Sequence, residues 1–211
     1  MKTAQFVALE KRLLSDFPRF VIKGNLMFVA PVKYALRGFY FEPSGFDKEA
    51  FYVNVFFTVL CVPTEHLSFT FCDRIRTPNG SDGWHANQGS LETSLKLAMQ
   101  SQNMPILSEI ESSRNLAELV ALMVGNSKDP NRSEALAYAL ALAGETVAAI
   151  DGLDQLLTFL DSEIGWQQEI IARALLLRSN LAEKPREAKE QLEEWEAETV
   201  RNLGLERFCA V

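Results

Sequence analysis

The apolar positions of this chain change their period near its middle. Over residues 51–71, FYVNVFFTVLCVPTEHLSFTF, they alternate as in an extended chain. Phe51, Val53, Val55, Phe57 and Val59 fall on one side, and Tyr52, Asn54, Phe56 and Thr58 on the other. Both sides are largely apolar, so this strand needs cover on both faces. Pro63 cannot donate to a ladder and suits the end of a strand. Leu67, Phe69 and Phe71 then resume the alternation on one face, which predicts an antiparallel partner strand over residues 67–71.

Ahead of this pair, Phe6, Leu9, Leu13 and Leu14 recur at helical spacing up to Pro18. Two short apolar runs then flank Lys23-Gly24-Asn25, where Gly-Asn supplies the positive φ of a tight hairpin. Residues 34–42 alternate again, and Pro43-Ser44-Gly45 turns the chain. Residues 1–90 therefore read as one helix and an antiparallel meander of about five strands. Residues 73–90, DRIRTPNGSDGWHANQGS, carry turn signals and little periodicity and read as a loop joining two halves.

Beyond Leu91 strand signals give way to helical ones. Leu95, Ala98 and Met99 open one helix; Pro105 punctuates, with Ile106 and Ile110 assigned to the next segment; Leu116, Leu119, Val120 and Met123 form another before Gly125. Ser133 reads as the cap of a helix over 134–143 that is apolar on every side, ended by Gly144. Val147, Ile150, Leu153, Leu157 and Leu160 make the next stripe, and residues 166–180 and 186–203 form a final pair. The predicted fold class is α+β: an antiparallel-sheet region over 1–90 and an all-helical region of antiparallel helix pairs over 91–211.

Setting GETVAAIDGLDQLL over AEKPREAKEQLEEW places Ala149, Leu153 and Leu156 opposite Ala188, Leu192 and Trp195 at a constant offset of 39. Residues 137–161, AYALALAGETVAAIDGLDQLLTFLD, resemble a tetratricopeptide-type helical hairpin, with small residues in the first helix, Gly at the turn and Ala-x-x-x-Leu in the second. The second unit departs from that pattern, with Ala182 at its turn. The resemblance implies a peptide- or protein-binding surface. The first half is similar to bacterial α+β proteins with a leading helix, a Lys-Gly-Asn hairpin and an antiparallel sheet, a likeness carried by residues 17–28 and by RGFYFEPSGF over 37–46. Relatives of that kind include immunity proteins found beside secreted toxins, which implies a protein partner and supplies no catalytic motif.

Composition narrows the function classes. The 211 residues are 47% hydrophobic and 23% charged, as in ordinary globular chains. No apolar run approaches the roughly 20 residues that span a bilayer, so no membrane association is expected. The opening MKTAQFVALEKRLL reads as an amphipathic helix and not a signal peptide. Cys61, Cys72 and Cys209 form no close-spaced pair, which places the protein in a reducing, cytoplasmic compartment. Residues 1–91 carry a net charge of +2 and residues 92–211 a net of −9, while 12 of the 14 Phe precede residue 92. An acidic half does not suit nucleic acid. It fits a basic protein partner, or serves only as a solvated helical surface.

Little catalytic chemistry is legible. His66 and His85 are 19 apart and lack metal-ligand spacing, so no metal is expected. Cys61 and Cys72 read as small core residues, and no phosphate loop, dinucleotide turn or nucleophile elbow is present, so no cofactor is expected. Glu193, Glu194, Glu196 and Glu198 read as the exposed side of the last helix. The best polar constellation is Asp73, Arg74 and Arg76 with Trp84 and His85, either a binding site or an ion pair closing the sheet edge. Trp84 itself reads either as a recognition anchor or as a plug on the sheet. The expected function is a non-catalytic interaction protein, immunity-like or an adaptor. The alternative is an enzyme or small-ligand binder with its pocket near Asp73, Arg74, Trp84 and His85.

Overall fold

A computed structural model of the chain describes residues 3–101 and 106–209. Helix α1 (Thr3–Leu13) buries Phe6, Leu9 and Leu13 at the predicted spacing. Strands β1 (Phe20–Lys23), β2 (Leu26–Val29), β3 (Ala35–Pro43), β4 (Ala50–Val59) and β5 (Phe71–Arg74) follow in an antiparallel meander, with a two-residue β6 (Trp84–His85). Gly24 turns the β1–β2 hairpin with φ +62. One edge of β4 takes β5 along residues 54–57 and β6 at Ala50 and Phe51. The helical half comprises α2 (Leu91–Ser101), α3 (Ser113–Val124), α4 (Pro130–Leu142), α5 (Thr146–Thr158), α6 (Gly165–Glu183) and α7 (Pro185–Asn202).

The fold is thus α+β as expected, and several local readings are corrected. The partner of β4 is not residues 67–71 but Phe71–Arg74. Leu67 and Phe69 therefore do not share a face with Phe71. Leu67 joins the Phe56 cluster and Phe69 rests on Tyr40 and Phe56, whereas Phe71 packs edge-on against Phe57 on the opposite face. Without a ladder over 67–70, strand alternation does not apply there. The loop expected over 73–90 contains the end of β5 and all of β6. Helix α4 starts earlier than Ser133, because Asp129 caps it by accepting from the Arg132 N–H at 3.0 Å and Pro130 occupies its first turn. In α5 the buried stripe is Ala149, Leu153 and Leu156, while Val147 is exposed. Ile106 and Ile110 lie outside any helix, and Pro105 falls outside the described residues.

The two-sided demand of β4 organises the layers. On one face, Phe51, Val53 and Val55 are covered by α1 and α2 through Phe6, Leu9, Leu95 and Met99. Farther along that face, Phe57 and Val59 meet the helical array through Leu116, Val120 and Ala135. On the other face, Phe56 and Leu60 lie under Val200 and Leu205, together with Phe28 and Leu36 of the sheet and Val32 of the β2–β3 connection. Lys23 completes this closure by donating to the carbonyls of Leu203 and, at 3.0 Å, Gly204, where the end of α7 offers unpaired acceptors. At Gly38 a Cβ would stand 2.3 Å from the Met27 carbonyl oxygen, so that crossing of β2 and β3 admits no side chain.

Two variants probe this packing. Gly38→Ala should destabilise the protein by at least about 2 kcal/mol in urea denaturation, since backbone must move to admit the methyl. Glu10 of α1 is fully buried and its carboxyl oxygens have no hydrogen-bond partner among the described residues; desolvation pushes it up to about 8 from 4.5. The stability tied to the protonated carboxyl is complete below its unfolded value and is lost progressively as pH rises from 4.5 towards 8. Glu10→Gln should abolish that decline, so the variant should melt higher than the native protein at about pH 9 and close to it at about pH 4.

Candidate functional site

The connection between β4 and β5, residues 60–70, is held by side chains of the helical half. Thr199 Oγ1 donates to the Val62 carbonyl at 3.3 Å, Asn202 Nδ2 to the Thr64 carbonyl at 3.2 Å and Arg132 Nε to the Thr70 carbonyl at 3.1 Å. Thr58 Oγ1 adds a bond to the Ser68 carbonyl at 2.8 Å from within β4. A loop would otherwise leave these carbonyls to water, so the tethers fix its course against α4 and α7.

A groove of about 470 Å³ runs between this loop and the helices, lined by Pro63, Glu65, His66, Trp166, Glu169 and Glu198 among others. Gln167 carries the buried stripe of Ile170, Ala174 and Leu177 to the start of α6, and Trp166 lies beside it at the edge of that stripe, with its indole 50% exposed on the rim. Glu65, Glu169 and Glu198 are exposed around it. The floor carries a different chemistry. Arg173 lines the groove and donates through Nε and NH2 to Glu134 Oε1 and Oε2 at 3.0 and 3.1 Å. Glu134 is fully buried on α4. Burial disfavours ionisation of this carboxyl and raises its pKa, the Arg173 bonds pull it back, and the neighbouring Tyr138 hydroxyl is pushed well above its usual range, chiefly by burial. Arg173 and Glu134 also line an adjoining pocket of about 100 Å³ with Thr58, Ser68, Thr70 and Asn131.

The sequence-predicted constellation is divided by the sheet. Arg74 stacks on the Tyr52 ring with its guanidinium carbon 4.1 Å from the centroid, and pairs with Glu42 at 3.7 Å and Asp82 at 3.8 Å. Arg76 joins Asp82 at 3.3 Å. His85 lies 3.7 Å from Asp47 on the surface, and Asp73 is exposed opposite Val55. Trp84 instead sits on the Phe51 face, fully buried, with its Nε1–H donating to the Ile75 carbonyl at 2.9 Å. That is the plug geometry, and a buried indole presents no surface to a ligand. The Glu193 to Glu198 cluster also divides. Glu196 is half-buried, accepts the Tyr34 N–H at 2.9 Å and is raised mainly by burial, while Glu198 reaches the groove and Glu193 pairs with Lys189 at 3.7 Å.

Sequence reasoning missed Trp166, Glu65 and Glu169 as a group, because they come from a loop and a helix about a hundred residues apart. The available signal was a Trp at a helix start, at the edge of the apolar stripe that Ile170, Ala174 and Leu177 define. Among the described residues no cluster of three or more His, Cys, Asp or Glu is placed to hold a metal, and no helix is long and apolar enough to cross a membrane. Comparison with protein-family models, curated proteins and solved structures yields no match to this chain.

The floor pair makes a direct test. Arg173→Leu leaves the Glu134 carboxyl buried without its partner and should cost about 3–5 kcal/mol in chemical denaturation. Replacing both residues by Leu should cost distinctly less than Arg173→Leu alone, which a double-mutant cycle would read.

Proposed function

We propose that the chain is a non-catalytic protein-interaction protein, of the immunity-like or adaptor kind, that receives a basic segment of its partner in the groove beside Trp166. The carrying observation is the half-exposed indole set among the exposed carboxylates of Glu65, Glu169 and Glu198 in one concavity. An aromatic face and carboxylates together suit Lys or Arg side chains, by cation–π contact and by charge-assisted hydrogen bonds. Arg173, the guanidinium in the groove floor, is already neutralised by Glu134 and does not oppose a cation. The same bidentate pairing occupies both Glu134 oxygens, so this carboxyl is a structural partner rather than a free base. The net charge of −9 over residues 92–211 favours encounter with a positive partner. Free thiols at Cys61, Cys72 and Cys209 support a reducing, cytoplasmic setting.

A panel of Lys/Arg-rich peptides and their Glu-substituted counterparts, followed by tryptophan fluorescence and anisotropy, tests the reading. Basic peptides should bind with affinity that falls as salt rises, and Trp166→Ala or the pair Glu169→Lys and Glu198→Lys should weaken binding about tenfold or more. Equal binding of the acidic peptides, or native affinity in those variants, overturns it.

A further inference from the structure

Arg37 stands where the alternation of β3 asks for an apolar residue. Its neighbours on that face, Ala35 and Phe39, are buried, and its cross-strand partner is Phe57. It lies at the seam of two apolar clusters, one containing Ala35 and Phe57 and the other Phe39, and Ile106 packs against both. The residue is only 7% exposed, and its buried Nε donor meets no acceptor among the described residues. Among the described residues no carboxylate makes an ion pair with it. Elsewhere the protein treats an inward-facing guanidinium differently, with both Glu134 oxygens given to Arg173. The charges near enough to act on Arg37 are Arg19 and Glu109. Glu109 is already committed to Arg19, with Oε1 2.6 Å from NH1. Two guanidiniums and one carboxylate leave one positive charge uncompensated in an apolar seam, a costly arrangement unless an anion completes it.

We propose that Arg37, with Arg19 beside it, forms a binding site for a small oxyanion of the phosphate or carboxylate class, separate from the Trp166 groove. The slight exposure of Arg37 suits a small ion more than the side chain of a folded partner. Its forked donors match two oxygens at once. Burial and the Arg19 charge both act against ionisation of Arg37, and a bound oxyanion opposes both effects.

Thermal melting in inorganic phosphate, sodium acetate and sodium chloride at matched ionic strength tests the assignment on the full chain. Phosphate or acetate should raise the melting temperature saturably above chloride, and which of the two acts at lower concentration identifies the preferred oxyanion. Arg37→Lys, which keeps the charge but not the fork, should weaken the effect about tenfold, and Arg37→Leu should abolish it. Identical melting in the three salts, or an unchanged response in Arg37→Leu, overturns the site. Should Arg37→Leu not fold, phosphorus NMR of phosphate with the native protein decides: broadening relieved by excess sulfate supports the site, and an unaffected line overturns it.

Discussion

A central strand without a wet face is the constraint on which the rest of the structure depends. Nine of the ten residues of β4 are buried, on both sides of the sheet. A sheet packed by helices on one side alone would leave Phe56 and Leu60 in water. The chain answers with three covers. α1 and α2 lie over the first part of one face, the helical array lies over the rest of it, and the residues from Val200 onward fold under the opposite face. Helix α7 serves two of these covers, with Leu192 and Trp195 in the array and Val200 beneath the sheet. That is why its polar side chains, Glu196, Thr199 and Asn202, are the ones that hold the connections at this end of the sheet.

Burial on this scale makes each interior polar group a separate problem, and the protein solves most of them by pairing. Trp84 finds a carbonyl, Glu134 finds a guanidinium, and Glu196 finds a backbone N–H. The last case also anchors the backbone. Tyr34 adopts a φ of 63, a left-handed conformation that costs a non-glycine residue roughly 1–2 kcal/mol. Its N–H bonds Glu196 and its carbonyl accepts from Leu60, so the turn is held from both sides. Glu10 on the buried face of α1 and Arg37 at the seam of the two clusters stand apart from this pattern, as do Asn25 Oδ1 and the Tyr138 hydroxyl.

Much of the architecture was legible because it rests on period and turn chemistry. The hairpin at Lys23-Gly24-Asn25, the alternation of β3 and β4, and the stripes of α3 and α7 each state their structure locally, whereas in α6 the apolar Leu175 is exposed and Gln167 is buried instead. The six residues aligned at an offset of 39, from Ala149 to Trp195, are all buried in one cluster. What escaped was decided by partners distant in sequence. β5 is half charged and β6 is two residues long, so side-chain pattern says little, and backbone pairing along one edge of β4 defines both. Val147 lies within an apolar run but is exposed to solvent. Asp129 outcompeted Ser133 because Pro130 suits the first turn that follows it. The geometry of the polar constellation escaped the sequence for a related reason. Arg74 and Trp84 are ten residues apart and look like neighbours, yet the sheet lies between them, whereas Glu65 and Trp166 meet across the fold.

The seating of Val200, Leu205 and Phe208 beneath strands formed by residues 20–60 bears on how the chain matures during synthesis. The meander can pair as soon as it leaves the ribosome, but its underside waits for a segment made some 140 residues later. At a translation rate of roughly 5–20 residues per second that wait lasts on the order of ten seconds. For that interval Phe28, Leu36 and Phe56 form an uncovered aromatic and aliphatic surface on the nascent chain, the kind of surface that holdase chaperones engage.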